Sequence, residues 1–348
     1  MSFQTAWFLL IAVLWIGYFI LEGFDFGVGM LIPFVSRNEA DRRAVLTTLG
    51  PVWDGNEVWV LVAGGATFAA FPEWYATLFS GFYLPLFLIL VGLIVRGVAF
   101  EYRSKYGKAQ WRQRWDIAIL ISSAIPALLW GVAFANIVRG VPLEKSSTGS
   151  IEYVGGFFNL LNPYALLGGV VTLTVFLTHG AHFLALKTAG EIRDRAHALA
   201  IKIGLVAAVA AVIFLVWSNL MLPERNAKFA TLSILTALLW VAGMFANFKV
   251  REGYAFIFSS LAIATFVSGL FVALYPRVMP SSLGSQFDLT ITNASSTDYT
   301  LKVMTIVAVV MTPLVLVYQG WTYWVFRKRV SASQIQHPER GILDTLSQ

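Results

Sequence analysis

No cysteine occurs in the 348 residues, which excludes disulfides, thiolate metal sites and cysteine redox chemistry, leaving histidine and methionine as axial ligands for any electron-carrying group. Charge is scarce too: Asp, Glu, Lys and Arg make up 13% of the chain against 57% hydrophobic residues, and mean hydropathy is +0.71. That balance excludes a separate soluble domain and defines an all-α integral membrane protein of many spans. There is no glycine-rich phosphate loop, HExxH or GxSxG, so the chain offers no nucleotide site and no hydrolytic nucleophile. Nor is there a fixed-period repeat. The opening Met1-Ser2-Phe3-Gln4-Thr5-Ala6 lacks a positive n-region, and the apolar stretch behind it runs to Val35, too long for a signal peptide, so it reads as a retained anchor.

Apolar runs at 7–35, 49–71, 76–100, 115–139, 164–186, 203–222, 229–248, 254–275 and 302–326 predict nine transmembrane helices. Basic residues gather after every second one: Arg37, Arg42 and Arg43; Arg103, Lys105, Lys108, Arg112 and Arg114; Lys187, Arg193, Arg195 and Lys202; Lys249 and Arg251; Arg327, Lys328 and Arg329. The positive-inside rule then places the N-terminus outside and the C-terminus in the cytoplasm, which requires an odd helix count. The net charge of +6 is thus spent on topology, not on a nucleic-acid stripe. Residues 1–330 form a single polytopic domain and 331–348 a polar cytoplasmic tail. Trp7, Trp74, Tyr75, Trp111, Trp115, Tyr164, Tyr275, Trp321 and Trp324 fall near helix ends and read as headgroup anchors. The connection from Pro276 to Thr300 is long and polar enough to cap the bundle or meet a partner, and its Asn293-Ala294-Ser295 matches a glycosylation sequon.

Chemistry is sought in the acidic residues that the apolar runs carry, because an ionised side chain at the bilayer centre costs roughly 2.5 to 3.5 kcal/mol and is kept for ion or proton traffic. Glu22 with Asp25, and Asp54 with Glu57, are i,i+3 pairs, each on one helix face. At a rise of about 1.5 Å per residue, Asp25 lies about 18 Å inward from Arg37 and Asp54 about 16 Å inward from Arg43, at matching depth on consecutive helices. Gly23 and Gly27 are spaced for close backbone approach, and Gly50-Pro51 predicts a break beside Trp53 and Asp54 that frees carbonyls for water or side chains. The sharp reading is a hydrated proton path from the cytoplasm. The plain reading is that the carboxylates are neutral or paired, for example with Arg96, and fasten helices together. His179 and His182 are the histidines within an apolar run; three residues apart on one helix they cannot grip opposite faces of one haem, and they read as polar packing or relay groups. His197 and His337 read as solvated loop and tail residues.

The blocks Glu22-Gly23-Phe24-Asp25-Phe26-Gly27-Val28-Gly29, Gly50-Pro51-Val52-Trp53-Asp54-Gly55-Asn56-Glu57-Val58-Trp59, Asn162-Pro163-Tyr164-Ala165-Leu166-Leu167, Thr178-His179-Gly180-Ala181 and Tyr318-Gln319-Gly320-Trp321, in that order, resemble subunit II of the cytochrome bd-type quinol oxidases over nearly the whole chain. The resemblance implies a haem-free partner of a subunit I that carries two b haems and haem d, oxidises quinol near the outer face and reduces O2 to water in the bacterial cell membrane. It implies two four-helix bundles plus one peripheral helix, and in some members a structural quinone or small accessory subunits. It also implies a proton path with Asp54 on its course, Trp53 as its wall and Asp25 close by; Glu57 and Glu22 are further candidates from their place in the apolar runs. Protons released outside from quinol and taken from the cytoplasm for water would separate charge without a pump. The rival classes are a proton-coupled secondary transporter, for which no matched pair of interrupted helices is legible, and a purely structural assembly subunit.

Overall fold

The computed structural model describes residues 2–147, 149–221 and 227–335, so His337 and the tail from 336 onward lie outside the described residues. Its helices are α1 (Phe3–Val35), α2 (Glu39–Leu49), α3 (Trp53–Ala70), α4 (Pro72–Gly81), α5 (Tyr83–Tyr102), α6 (Ala109–Arg139), α7 (Pro163–Lys187), α8 (Glu191–Met221), α9 (Ala227–Phe248), α10 (Glu252–Leu274) and α11 (Asp298–Val325). Among the described residues eight helices, all but α2, α3 and α4, are long and apolar enough to cross a membrane. The predicted run 49–71 is divided where expected: α2 ends at Leu49, and after Gly50-Pro51 the chain restarts as α3, since proline cannot donate the N–H that continuity requires. A second interruption, at Phe82 between α4 and α5, lies just ahead of Pro85, which has no N–H to give to Gly81 O.

Helix starts follow local chemistry. The side chains of Ser2, Asn38, Asn162 and Thr297 each accept a backbone N–H of the first turn, and Pro163 occupies the first position of α7, where no N–H is needed. α1 is the hub, packed against α3, α6, α7 and α10, whereas α11 touches α1 and α3 and has Leu301 as its buried residue. An aromatic core of Trp15, Tyr18 and Phe19 on α1 with Trp130 and Phe134 on α6 closes this centre, and Trp130 Nε1 donates to the Tyr18 hydroxyl at 3.1 Å.

Three of the expected headgroup anchors are internal instead. Trp7 donates to Leu301 O and Thr305 Oγ1 and so fastens α1 to α11, Trp74 is buried, and Tyr164 shares a hydrogen bond with Ser218; each polar tip except that of Trp74 finds a protein partner in place of a headgroup. Trp321 and Trp324 are exposed. The 276–300 connection packs down on the bundle through Val278, Met279, Leu289, Ile291 and Ala294, and Ser296 N donates to Ala70 O. The Asn293 amide is engaged in this turn with Thr290 N and Asp288 O.

At the opposite, basic end, the α5 cap residue Arg103 reaches both Glu39 oxygens at 2.8 and 3.0 Å and Asp116 at 2.5 and 3.2 Å, and Arg112 stands 3.2 Å from Glu39. Arg195 ties α8 to Val35 O and Asp41. Burial alone would push the Glu39 carboxyl up, but the hydrogen bonds and charge of Arg103, with those of Arg112, outweigh it and hold the group below the usual carboxylate range. A depressed folded-state value gives stability that is complete above about pH 4.3, the unfolded value, and is lost as pH falls through the folded one. Thermal unfolding scanned from pH 6 downward should therefore show an acid-labile limb that Glu39→Gln flattens; an identical limb in the variant would exclude this cluster as its source.

Candidate functional site

Where α1, α3 and α5 meet, a single guanidinium collects the acidic residues. Arg96 of α5 is fully buried; its Nη2 contacts Glu22 of α1 and lies 3.0 Å from Glu57 of α3, and its plane sits over the rings of Phe26 at 4.7 Å and Phe100 at 5.5 Å. Asp25, also fully buried, accepts a 2.7 Å hydrogen bond at Oδ2 from the Asn56 amide, while its Oδ1 has no hydrogen-bond partner. With all three carboxylates ionised, three negative charges would face one positive charge at a site where Glu22, Asp25 and Arg96 are fully buried and Glu57 is partly so. Such an excess is untenable in a low dielectric, so not all three carboxyls can be ionised unless water reaches them.

The helix face of the Trp53–Trp59 block is not the one expected. Asn56 and, partly, Glu57 turn inward, while Asp54 is exposed on the outer side of α3 and is not paired with Arg96. Asp54 heads an outward stripe of Val58, Leu61, Val62 and Phe68, beside Gly55, Gly64 and Gly65, where an added Cβ would meet nothing within 4 Å. Trp53 lies against α5, edge-on to Phe100 at 5.3 Å. The predicted close approach of Gly23 and Gly27 is made to α7, not to α3: Gly23 faces the Phe176 ring and Gly27 meets the Gly180 backbone. Four residues, Asn56, Trp59, Gln319 and Tyr323, are newly joined to the site by contact. Asn56 Oδ1 accepts from Tyr323 at 2.8 Å and Gln319 at 3.3 Å, both on α11, and Trp59 donates to Gln319 at 2.9 Å. Asn56, Trp59 and Gln319 stand in the sequence blocks that carry the family resemblance, and Asn56 and Gln319 are polar within apolar runs, whereas nothing in the sequence singles out Tyr323.

His179 is buried with both ring nitrogens engaged. Ile20 O can only accept, so Nε2 carries the proton and Nδ1 accepts from Ser259, at 3.1 and 2.8 Å, and the ring stacks on Phe256 at 4.7 Å. It therefore offers no free nitrogen to a haem. His182 is buried with neither nitrogen hydrogen-bonded. His197 belongs to α8, not to a loop, and stands 3.4 Å from Glu252. Among the described residues no group of three or more His, Asp or Glu is arranged to hold a metal ion. An apolar cleft with a cavity volume of about 100 Å³ opens between α1, α6, α7, α8, α9 and α10, lined by Phe19, Phe134, Phe176, Phe214, Trp240 and Phe266 among others.

These features define a multi-pass helical membrane protein built round a buried ionic cluster. Residues 3–326 match the model of the cytochrome bd terminal oxidase subunit II family. The chain is 42% identical over 333 residues to cytochrome bd ubiquinol oxidase subunit 2 of Bacillus subtilis (strain 168), covering 95% of this chain and 97% of that one. It is 38% identical over 362 residues to cytochrome bd-I ubiquinol oxidase subunit 2 of Escherichia coli (strain K12), covering 95% and 96%. A chain in the structure of bd oxidase from Geobacillus thermodenitrificans superposes with a TM-score of 0.74 at 18% identity, covering 94% of this chain and all of that one, a likeness of fold. The chain belongs to the cytochrome bd terminal oxidase subunit II family, and so is a multi-pass subunit of a respiratory oxidoreductase complex of the bacterial inner membrane.

Proposed function

We propose that this chain is the haem-free half of a quinol:O2 oxidoreductase, a scaffold for the haem-bearing subunit I that also carries protons from the cytoplasm toward the site of O2 reduction. Haem b and haem d chemistry belongs to the partner, where quinol is oxidised and four electrons and four protons convert each O2 to two waters. In this chain α3 is the ninth crossing, the N-terminus faces outward and the basic end faces the cytoplasm, in two four-helix bundles with α11 at the periphery. Residues 1–330 are one transmembrane domain, and the residues beyond form a cytoplasmic tail.

The observation that carries the reading is the imbalance of three carboxylates, Glu22, Asp25 and Glu57, around Arg96. Charge neutrality makes this cluster a holder of protons. Asp54 stands outside it, at the head of the apolar stripe whose open glycines suit close approach of a partner helix, and there it can pass protons across the subunit boundary, with Trp53 walling the route. The apolar cleft suits one end of an apolar chain, such as a single isoprene unit of a structural quinone tail or the end of a lipid chain. The transporter reading gains nothing, because the breaks at Gly50–Val52 and Phe82 both fall in the first half of the chain.

The test uses the assembled oxidase with Asp54→Asn and, separately, Asp25→Asn. Haem content should be retained while oxygen consumption falls about a hundredfold or more, the scale of a lost positioned proton donor. Full turnover in both variants at intact haem content would remove the proton path and leave the scaffold alone.

A further inference from the structure

We infer that Gln319 and Tyr323 of the peripheral helix α11 are positioning residues that lock the Asn56 amide onto Asp25, so that the docking of α11 governs a carboxylate it does not touch. The inference rests on the proton-path reading and adds residues to it. α11 is exposed along almost its whole length, yet Gln319 and Tyr323, one turn apart on one face, turn inward to the same atom, Asn56 Oδ1.

The direction of every bond in this network is fixed by what each group can do. An indole N–H only donates, so Trp59 requires Gln319 to present Oε1 to it, which leaves the Gln319 NH2 pointing at Asn56. Two donors on Asn56 Oδ1 then leave its NH2 for Asp25 Oδ2. All donors thus run toward the carboxylate. Side-chain amides do not take up or release protons in this chemistry, so the network orients Asp25 and does not conduct. It occupies Oδ2 and leaves Oδ1, which has no hydrogen-bond partner, as the oxygen where a proton can be exchanged. Were α11 to lift away, Asn56 would be free to rotate by half a turn and present its carbonyl oxygen to the carboxylate, replacing an attraction by a repulsion.

The experiment uses the purified two-subunit oxidase carrying Tyr323→Phe, Gln319→Met, both together, Asp25→Asn, and Val317→Ala on the exposed side of α11. Oxygen consumption is measured against pH, and the carboxyl C=O band of Asp25 is identified in redox-difference infrared spectra by its absence in Asp25→Asn. Each single α11 substitution should lower turnover about threefold and the double about tenfold, the cost of one and two neutral hydrogen bonds to Asn56 Oδ1. The pH profile should move by about half a unit or more and the Asp25 band should shift. Val317→Ala should change neither. Lower turnover with an unmoved pH profile and band would mark a structural defect and overturn the inference, as would wild-type behaviour of the double variant beside a crippled Asp25→Asn. Full activity in Asp25→Asn would instead take Asp25 off the proton path, and the inference would fall with that part of the reading.

Discussion

Arg96→Leu should be among the most damaging single substitutions in the chain. The guanidinium touches Glu22 and Glu57 and packs between Phe26 and Phe100, so its removal leaves buried carboxylates facing one another with no counter-charge. Breaking a buried pair from one side costs about 3–5 kcal/mol, because the remaining charge is stranded. Arg96→Lys keeps the charge but not the flat fork that meets two carboxylates and stacks on two rings, and should be intermediate. Combining Arg96→Leu with Glu22→Leu should recover part of the loss, since the second change removes the stranded partner. Thermal unfolding of the purified complex, with membrane abundance, reads all three. Equal stability of wild type and Arg96→Leu would show that the cluster is hydrated enough to dispense with its cation.

The membrane class, most spans and the break at Gly50-Pro51 were legible because hydropathy and proline act locally. The assignment of inward and outward faces at Asp54, Asn56 and Glu57 was not. Their rotation about α3 depends on how the chain leaves the break, and a shift of one or two residues exchanges which side chain meets α1. Arg96 was recognisable as a lone cation in an apolar run, and its pairing with Glu22 and Glu57, raised as the plain alternative, is what the fold realises. The contact of Asn56 with Gln319 and Tyr323 was obscure for a different reason: the bonds join residues more than 260 positions apart, and a neutral amide raises no electrostatic alarm. Trp7 and Tyr164 looked like interface anchors because position near a helix end does not reveal whether another helix already covers the ring.

The glycine spacing teaches the same lesson and carries the second large expected effect. Gly23 and Gly27 announce close approach without saying to what, and the partner is α7. A Cβ on Gly27 would stand 1.9 Å from Phe176 O and 2.9 Å from Gly180 Cα, and one on Gly180 would stand 2.6 Å from Gly27 C and Val28 N. These are backbone atoms on both sides, so no rotamer change can relieve the clash. Gly27→Val must push α1 and α7 apart along the seam that also holds the 3.1 Å bond from His179 to Ile20 O, and α1 carries Glu22 and Asp25 within two turns of the contact. Ordinary overpacking costs about 1–3 kcal/mol, and a rigid backbone contact in the hub helix should exceed it. The variant should fail to accumulate as a folded chain in membranes and should lose co-purifying haem, with Gly27→Ala milder. Gly253→Ala is the control: an added Cβ there meets nothing within 4 Å, and the exchange should be neutral or slightly stabilising. If Gly27→Val accumulates and melts like Gly253→Ala, the two helices are not pressed backbone to backbone, and the placement of the acidic cluster beside that seam must be redrawn.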